Sequence, residues 1–401
     1  MRKIDTTMER MASETVGETY TVTPDAVMYD AAIIGGGLAG LALAIQLAKE
    51  NYHVILMEKE AYPFHRVCGE YISFECWNFL ESIGYPLSDM DLPVIKQLLV
   101  SAPNGNTLTH ALPLGGFGIS RYKIDAELAQ IARDCGATIK ENEKVSDVVF
   151  DGHFFTVQAA SAKVKAKCVV ASFGKRSNLD VKWKRPFALK RPGKLNNFIG
   201  VKYHVKLDTP AELIVLHNFA DGYCGMSQVE NNTQCLCYLT TAGNLKRSGN
   251  SIRAMEQNIL YKNPLLKQLF SNAVFVREEP VTIAQVAFTQ KKQVADHVLM
   301  VGDAAGLITP LCGNGMSMAL HASKIAAVTI TNFLQGKISR QQMEADYCLQ
   351  WHNLFAKRLR TGRFIQRMFG RPWLTNVFIA ILKRFPKIVA YLIRQTHGEP
   401  F

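Results

Sequence analysis

Residues 31–40 read AAIIGGGLAG, and this stretch decides the fold of the chain. Its apolar half has the composition of a buried strand, and its glycine-rich half has the spacing of a loop that leads into a helix. We predict a strand over residues 28–34, a helix over residues 38–50 and a second strand over residues 53–58. That order is a βαβ unit, the setting in which a glycine-rich loop binds a dinucleotide.

The glycines of this loop have different expected roles. Gly35 permits the tight turn, Gly37 lets the backbone approach a diphosphate, and Gly40 allows close contact between helix and strand. Leu38 and Ala39 begin the helix, whose unpaired N–H groups and partial positive charge of roughly +0.5 e would face the phosphates. We therefore assign all five residues to a cofactor site.

Glu58 ends the second predicted strand, eighteen residues after Gly40. A carboxylate at this point can accept hydrogen bonds from both hydroxyls of an adenosine ribose, and it would repel a 2′-phosphate. We assign Glu58 and the adjacent Lys59 to the same cofactor. The alternative is a turn followed by a surface glutamate.

A second glycine-rich segment begins about 265 residues after the first and follows another buried-strand pattern at residues 297–301. Asp303 can bond a ribityl hydroxyl, and the next helix would point its N–H groups at the pyrimidine edge of a flavin, where they stabilise negative charge. The residues assigned to this end are Gly302, Asp303, Pro310, Gly313, Asn314, Gly315 and Met316. Two such loops indicate one long cofactor held at both ends, and FAD has that length. A helix-capping loop is the alternative for the second segment.

The composition sets the broad class of the protein. The chain has 401 residues, a length that predicts two connected domains, and a net charge of +12. Nine cysteines without a CxxC pair favour a reducing, cytoplasmic setting. The histidines lack metal-ligand spacing, so we predict no metal site.

We predict an α/β fold in which a mostly antiparallel β-sheet domain is inserted into a Rossmann-like domain with a parallel sheet. Short alternating runs of apolar residues between positions 180 and 290 indicate the antiparallel part. The predicted units are a flexible extension at 1–27, an FAD-binding domain at 28–180 and 291–340 that includes substrate-side strands near 90–120, a substrate-binding domain at 181–290, and basic C-terminal helices at 341–401.

Four motifs give the chain a resemblance to known flavoproteins. They are GGGLAG at 35–40 with Glu58, PFHRVCGE at 63–70, SRxxxDxxL at 120–128, and the segment 302–316. Together they resemble the flavoprotein superfamily with the para-hydroxybenzoate hydroxylase fold, and within it the geranylgeranyl reductase-like branch. The motifs are more specific for the fold and for FAD than for the reaction.

The resemblance implies roles for three further residues, and the position of His65 beside the PFHRVCGE motif indicates a fourth candidate. Arg66 and Arg121 would contact the cofactor, and the forked donors of an arginine suit diphosphate oxygens. Cys68 corresponds to a cysteine near the flavin of prenyl reductases, where it would be a proton donor, a redox thiol or a small buried residue. His65 is the second candidate for a catalytic acid. The alternatives are a surface arginine for Arg66 and a structural histidine for His65.

Two departures from the family pattern bear on the reaction. Hydroxylases of this fold carry an Asp-Gly pair after the strand that here ends at Ala171, and this chain has Phe173-Gly174 instead. The departure puts the usual binding of a nicotinamide cofactor at that face in doubt. Residues 222–229 hold no tryptophan, and the chain has no Trp-x-Trp pair. This disfavours a halogenase and weakens the match to a strict geranylgeranyl reductase.

The positive charge is concentrated at the C-terminus. Residues 351–401 hold ten Lys or Arg and one acid, Glu399. Cations beside the apolar segments 373–382 and 388–393 suit a membrane surface, and Pro386 interrupts the helix between these segments. A pair of helices docked on the core, with a solvated basic face, is the alternative. We expect no nucleic-acid partner, because no binding module is recognised.

These observations predict a cytoplasmic FAD-dependent oxidoreductase that acts on an apolar or lipid-like small molecule and is peripheral to the inner face of the membrane if its tail binds lipid. The resemblance makes reduction of carbon–carbon double bonds of an isoprenoid or polyketide the leading reaction. A flavin-dependent monooxygenase of an aromatic or polyketide product is one alternative, and a non-catalytic FAD-binding carrier or assembly protein is the other. NADPH or another electron donor would reduce the flavin.

Overall fold

The computed structural model of the chain describes residues 27–189, 197–309 and 313–401. Residues 1–26 of the predicted N-terminal extension and Pro310 of the second loop lie outside these ranges. In chain order the strands are β1 (Met28–Ile34), β2 (Val54–Met57), β3 (Tyr71–Ser73), β4 (Val94–Ser101), β5 (Thr107–Gly118), β6 (Thr138–Lys140), β7 (Asp147–Phe150), β8 (Phe155–Gln158), β9 (Lys163–Ala171), β10 (Phe198–Lys206), β11 (Leu213–Phe219), β12 (Gly222–Val229), β13 (Thr233–Thr241), β14 (Val274–Phe275), β15 (Val281–Val286), β16 (Val294–Ala295) and β17 (Val298–Met300).

The helices of the described residues alternate with these strands and then form the C-terminal end of the chain. They are α1 (Leu38–Lys49), α2 (Trp77–Ser82), α3 (Arg121–Asp134), α4 (Asn178–Lys182), α5 (Pro186–Leu189), α6 (Ala242–Arg247), α7 (Ile252–Asn258), α8 (Pro264–Asn272), α9 (Gly315–Leu334), α10 (Arg340–Met368), α11 (Pro372–Arg384) and α12 (Pro386–Thr396). Short 3₁₀ helices occur at Phe74–Cys76, Leu87–Asp89, Leu260–Lys262 and Gly302–Ala304.

The described strands form two β-sheets. The first has the order β16-β17-β9-β1-β2-β6, in which all pairs except β16–β17 are parallel, and the β7–β8 hairpin joins it through β8 and β9. The second has the order β14-β10-β13-β12-β11-β4-β5-β3, with β15 also paired to β10. Its pairs are antiparallel apart from β11–β4. The predicted α/β fold class is confirmed.

The parallel sheet forms because its central strands are apolar on both faces. Residues 31–34 of β1 and all of β2 are buried without alternation, as expected for strands that helices cover on both sides. Helix α1 is rich in alanine and leucine, is buried along most of its length, and packs against α3 and α9. The βαβ unit that the opening motif predicts is therefore present.

Parallel pairing brings the ends of three strands to the same edge of the sheet. Ile34 of β1 pairs with Ala171 of β9, and Ala171 pairs with Met300 of β17. The glycine loops that follow β1 and β17 therefore leave the sheet close together, with β9 between them. A Cβ atom added at Gly302 would lie 3.2 Å from the Cβ atom of Ala39. The second loop thus contacts the helix that the first loop begins.

The alternating pattern of residues 180–290 does not predict α6, α7 and α8, and the segment is more helical than expected. Ser251 caps α7, and Asn263 caps α8, whose first residue is Pro264. Phe270 of α8 packs with the buried side chains of the antiparallel sheet. The helices supply the cover that one apolar face of this sheet requires.

The C-terminal helices dock on the second sheet. Helices α11 and α12 both contact β5, and Ile379, Leu382 and Val389 are buried in a cluster with Leu108 of that strand. Helix α11 ends before Pro386, and α12 begins at it, which is the interruption that the sequence predicts. Within the described ranges, no helix has both the length and the apolar content that a transmembrane helix requires.

Candidate functional site

The glycines of the first loop differ in the space around them. Gly35 and Gly40 are tightly packed, whereas Gly37 has free space beside its Cα atom. Gly35 has a φ angle of +103°, and a Cβ atom added to it would lie 2.7 Å from the backbone of Phe173. A Cβ atom added at Gly40 would overlap the carbonyl oxygen of Gly35. A Cβ atom added at Gly37 would instead approach Arg121 Nη2, at 3.5 Å. The open position lies at the N-terminus of α1, where a ligand can come close to the backbone.

Glu58 is buried, so it is not a surface glutamate. Its Oε2 atom accepts hydrogen bonds from the N–H of Gly36, at 2.8 Å, and from Arg66 Nη2, at 3.0 Å. Its Oε1 atom accepts the N–H of Glu60 at 3.2 Å. The carboxylate is therefore held beside the first loop. Lys59 is exposed and pairs with Glu60 at 3.2 Å, so the structure does not bring it to this carboxylate.

Two arginines share one buried carboxylate next to the same loop. Asp125 accepts hydrogen bonds from Arg66 Nε, at 2.9 Å, and from Arg121 Nε and Nη2, at 2.8 and 2.7 Å. Arg66 also bonds Glu58, so it is fixed between two carboxylates and is not a free surface arginine. Burial alone lowers the pKa of Arg121, but Asp125 raises it above its ordinary value, and the guanidinium stays charged. Asp125 was missed as a site residue, although it belongs to the SRxxxDxxL motif.

These residues fit the diphosphate of FAD. Helix α1 begins after Gly37, which has no side chain to cap it, so no cap side chain within the described ranges satisfies its first-turn N–H groups. The side chains of Leu38 and Ala39 are packed in the core, which leaves their backbone for a ligand. The charged Arg121 guanidinium lies against the open side of Gly37. An uncapped helix end beside a cation is a site for an anion.

A buried lysine holds the second loop. Lys291 Nζ donates hydrogen bonds to the carbonyl oxygens of Asp303 and Lys175, both at 2.7 Å. Burial lowers the pKa of Lys291 to about 8, although Asp303 acts in the opposite direction. Burial also raises the pKa of Asp303. Sequence reasoning missed Lys291, because nothing in the sequence distinguishes it from the adjacent, exposed Lys292.

The N-terminus of α9 holds a buried amide with an unused acceptor. Asn314 Nδ2 donates to the carbonyl oxygen of Thr396 at 2.6 Å, whereas its Oδ1 atom has no hydrogen-bond partner among the residues that the structure describes. Buried acceptor atoms without a partner are uncommon, and this oxygen is available to accept a hydrogen bond from an N–H group of a ligand. A Cβ atom added at Gly315 would approach Ile308 Cγ2, at 3.7 Å, and Gly315 lines a small cavity with Asp303. The open glycine and the unused acceptor fit the flavin end of FAD.

The thiol of Cys68 lies at the start of α9. Its Sγ atom is 3.6 Å from the Sδ atom of Met316. Gly313, with a φ angle of +68°, packs against the ring of Tyr71 in the same region. Burial raises the pKa of the Cys68 thiol, although Arg121 acts in the opposite direction, so the thiol is protonated at neutral pH. The structure thus brings this catalytic candidate to the residues assigned to the flavin end.

A buried ionic cluster lies next to Cys68. Glu70 accepts hydrogen bonds from Lys202 Nζ, from His204 Nε2 at 2.6 Å and from the N–H of Arg121 at 2.7 Å. The N–H of Glu70 is 3.5 Å from Cys68 Sγ. Burial alone would raise the pKa of Glu70, but Lys202 and His204 lower it to about 2. The carboxylate and the ammonium are therefore both charged at neutral pH.

Sequence reasoning missed Glu70, Lys202 and His204 as site residues. Glu70 is the last residue of the PFHRVCGE motif, and Lys202 and His204 are two positions apart in β10, so they lie on the same face of the strand. A lysine in an alternating strand is ordinarily placed on the solvent side. Glu70 is 132 residues from Lys202, and the pattern within β10 does not show that the two meet.

His65 lies beside this cluster. Its ring is 5.4 Å from the ring of His204 and is stacked on Tyr122 at 4.6 Å. With Lys202 and Arg277, the two histidines line a small surface pocket. Burial and the nearby cations lower the pKa of His65, so it is neutral at neutral pH. His65 therefore lines this pocket, and none of the contacts just described is with Cys68.

One group of side chains has the spacing of a metal site, which the sequence does not predict. Glu70, His204 and Cys235 each offer a ligand atom, and these atoms lie within 4.8 Å of one another. Lys202 already pairs with Glu70, and burial raises the pKa of Cys235 well above its ordinary value. Both features disfavour a bound cation, because metal ligands must be deprotonated and free of competing charge.

Replacing Glu58 by alanine is expected to weaken FAD binding by about 1.5–3 kcal/mol, because a hydrogen bond to a charged group contributes that much. Titration of the apoprotein with FAD, followed by flavin fluorescence, measures the change. Glu60→Ala removes a neighbouring, more exposed carboxylate and should bind FAD like the wild type. Equal FAD affinities of the wild type and the Glu58→Ala variant would show that Glu58 does not bind the cofactor.

Comparison with known proteins places this chain in a family. A family model described as an FAD binding domain matches residues 28–347. A digeranylgeranylglycerophospholipid reductase of Methanococcus vannielii is 26% identical over 340 residues, which are 80% of this chain and 82% of the relative. Conditioned medium factor receptor 1 of Dictyostelium discoideum is 25% identical over 353 residues, which are 80% of this chain and 67% of the relative.

Solved structures share the fold. A geranylgeranyl bacteriochlorophyll reductase-like protein of Thermoplasma acidophilum has a TM-score of 0.74 at 18% identity, over 93% of this chain and 96% of its own. A flavin-dependent brominase also has a TM-score of 0.74, at 20% identity, over 92% of this chain and 93% of its own. Enzymes of different chemistry thus have this architecture, and the reaction depends on the site.

Proposed function

We propose that this chain, which belongs to the FAD binding domain family and is an FAD-dependent oxidoreductase, reduces carbon–carbon double bonds of an apolar, isoprenoid-type molecule. FAD is the cofactor, and the chemistry that it would supply in its reduced form is hydride donation to one carbon of the double bond. The other carbon takes a proton. The two electrons come from a reduced nicotinamide or a reduced iron–sulfur protein, and each double bond gains two hydrogen atoms.

The position of the Cys68 thiol is the observation that carries this proposal. The thiol lies 3.6 Å from Met316 at the start of α9, and burial keeps it protonated. The positive charges of Arg121 and Lys202 act to lower the pKa of this thiol, because they stabilise the thiolate that remains after the proton has been donated. A protonated group that can release its proton close to the cofactor suits the addition of hydrogen to a double bond.

The relatives support the isoprenoid class of substrate. One is named as a reductase of a digeranylgeranylglycerophospholipid, and a structural neighbour is named as geranylgeranyl reductase-like. The stretch without tryptophan forms β12, where Ser227 donates a hydrogen bond to the carbonyl oxygen of Gly69 at 3.1 Å. This departure from the family pattern therefore lies beside Cys68, where it would affect the choice of substrate.

Single turnover of the reduced protein tests the proposal. The FAD-loaded chain is reduced with dithionite without oxygen and incubated with an unsaturated geranylgeranyl glycerolipid, and the lipid is analysed by mass spectrometry. We expect a gain of two hydrogen atoms for each reduced double bond. A gain of one oxygen atom in air with NADPH would favour the monooxygenase instead. A lipid unchanged under both conditions would favour the non-catalytic carrier. The gain of an oxygen atom and the unchanged lipid would each contradict the proposal.

Replacing Cys68 by alanine is expected to slow the single-turnover reduction about a hundredfold, because it removes the proton donor. FAD affinity should change less than twofold, since the backbone of the site is kept. Cys348→Ala, at a partly buried thiol of α10, is the control and should leave the rate unchanged. A Cys68→Ala variant that reduces the lipid at the wild-type rate would show that Cys68 only fills space and donates no proton.

A further inference from the structure

The two C-terminal helices expose one common face, which we call the C-terminal face. Helices α11 and α12 contact each other, and both lie on β5. Ile379, Leu382 and Val389 are buried on the sheet side. Because both helices lie on the same strand, their opposite sides point away from the sheet in the same direction.

The C-terminal face carries large exposed apolar side chains. They are Trp373, Val377, Ile381, Phe385, Ile388 and Tyr391. Trp373 is 67% exposed, Tyr391 58% and Phe385 52%. The exposed positions recur at spacings of four residues on α11 and three on α12, so they form one stripe on each helix. Apolar groups of this extent on a surface mark an interaction site.

The same face carries charge of one sign. Its exposed cations are Arg371, Lys383, Arg384, Lys387 and Arg394, and residues 371–394 contain no Asp or Glu. An ordinary solvated surface mixes both signs, and interfaces between proteins are depleted in lysine. Aromatic and aliphatic side chains bordered by cations alone are typical of helices that lie on an anionic membrane surface.

We infer that the C-terminal face binds the surface of an anionic phospholipid bilayer. The rings of Trp373, Phe385 and Tyr391 enter the boundary between headgroups and acyl chains, and the cations bond to lipid phosphates. A second copy of the chain fits less well, because a two-fold interface would bring these cations against the same cations of the other copy. The inference goes beyond the proposed function and does not depend on the reaction.

Sedimentation of the full FAD-loaded chain with lipid vesicles tests the inference. One set of vesicles contains phosphatidylcholine alone, and the other contains equal parts of phosphatidylcholine and phosphatidylglycerol. We expect binding to the anionic vesicles only, and a loss of binding as salt is raised. The triple variant Lys383→Gln, Arg384→Gln, Lys387→Gln should bind at least tenfold more weakly, since each cation contributes roughly fivefold. Trp373→Ser with Tyr391→Ser should weaken binding by a similar factor.

The matched control removes the same charge elsewhere. Lys163→Gln, Lys165→Gln and Lys267→Gln together replace three exposed lysines outside the C-terminal face and should bind within twofold of the wild type. All variants must keep their FAD content and melting temperature, which excludes loss of folding as the cause. The inference is overturned if the wild type does not bind anionic vesicles, if the control variant loses binding equally, or if the Trp373 variant only converts a dimer into a monomer in gel filtration.

Discussion

Replacing Gly315 by valine is expected to abolish flavin retention while the chain stays folded. Among the described residues beyond the helix's own first turn, the nearest atom to a Cβ atom at this position is Ile308 Cγ2, at 3.7 Å, which is an ordinary van der Waals contact. The added methyl groups would occupy the N-terminus of α9, where the flavin end of FAD is expected. We expect affinity to fall at least about a thousandfold, which corresponds to about 4 kcal/mol.

The absorption spectrum of the purified Gly315→Val variant and its titration with FAD measure this loss. Gly35→Val is the contrasting variant. Gly35 has a φ angle of +103° and its added Cβ atom would lie 2.7 Å from the backbone of Phe173, so this variant should lose the fold together with the flavin. A folded Gly315→Val protein with a normal flavin spectrum would show that the ring does not bind at the start of α9.

Replacing Lys202 by methionine is expected to lower the free energy of unfolding by about 3–5 kcal/mol at neutral pH, because it leaves the buried Glu70 carboxylate without its ammonium partner. Lys206→Met, at an exposed position of the same strand, should cost less than about 1 kcal/mol. Urea unfolding followed by circular dichroism measures both. Adding Glu70→Gln to Lys202→Met should recover part of the loss, since a neutral amide needs no counter-charge.

The effect of Lys202→Met should depend on pH with a defined sign. Because the pKa of Glu70 is lowered from 4.5 to about 2 in the folded protein, its ion pair stabilises the wild type above pH 4.5 and is lost as pH falls towards 2. Acid therefore removes the stability that the variant already lacks, and the difference between the two proteins should shrink below pH 4.5. A difference that stays constant across this range, or one no larger than that of Lys206→Met, would contradict the role of the buried pair.

The fold could be predicted where its signals are local. An apolar run, spaced glycines and a following carboxylate lie within about thirty residues, and each indicates one part of the same βαβ unit. The packing of Gly35 and the burial of Glu58 follow from that unit. Helices α6, α7 and α8 were missed because the alternating strands around them dominate the pattern of the inserted segment.

The candidate site was predictable in its motifs and not in its electrostatics. Arg66 and Arg121 belong to separate motifs, and the carboxylate of Asp125 that joins them becomes evident when the helix and the loop are packed together. The unused Oδ1 atom of Asn314 likewise depends on Thr396, 82 residues away, which takes the other end of the amide. Contacts between residues so distant in sequence depend on how the sheets and helices pack, so they cannot be predicted from a short sequence motif.

Titration of the apoprotein with FAD and with FMN tests most directly whether one extended cofactor is held at both glycine loops. FMN lacks the adenosine and the second phosphate, which the N-terminus of α1, Arg121 and Glu58 are assigned to bind. The structure predicts one FAD per chain and FMN binding that is at least about tenfold weaker, or about 1.4 kcal/mol. A well-folded chain that takes up no flavin, or that binds FMN as tightly as FAD, would contradict this account.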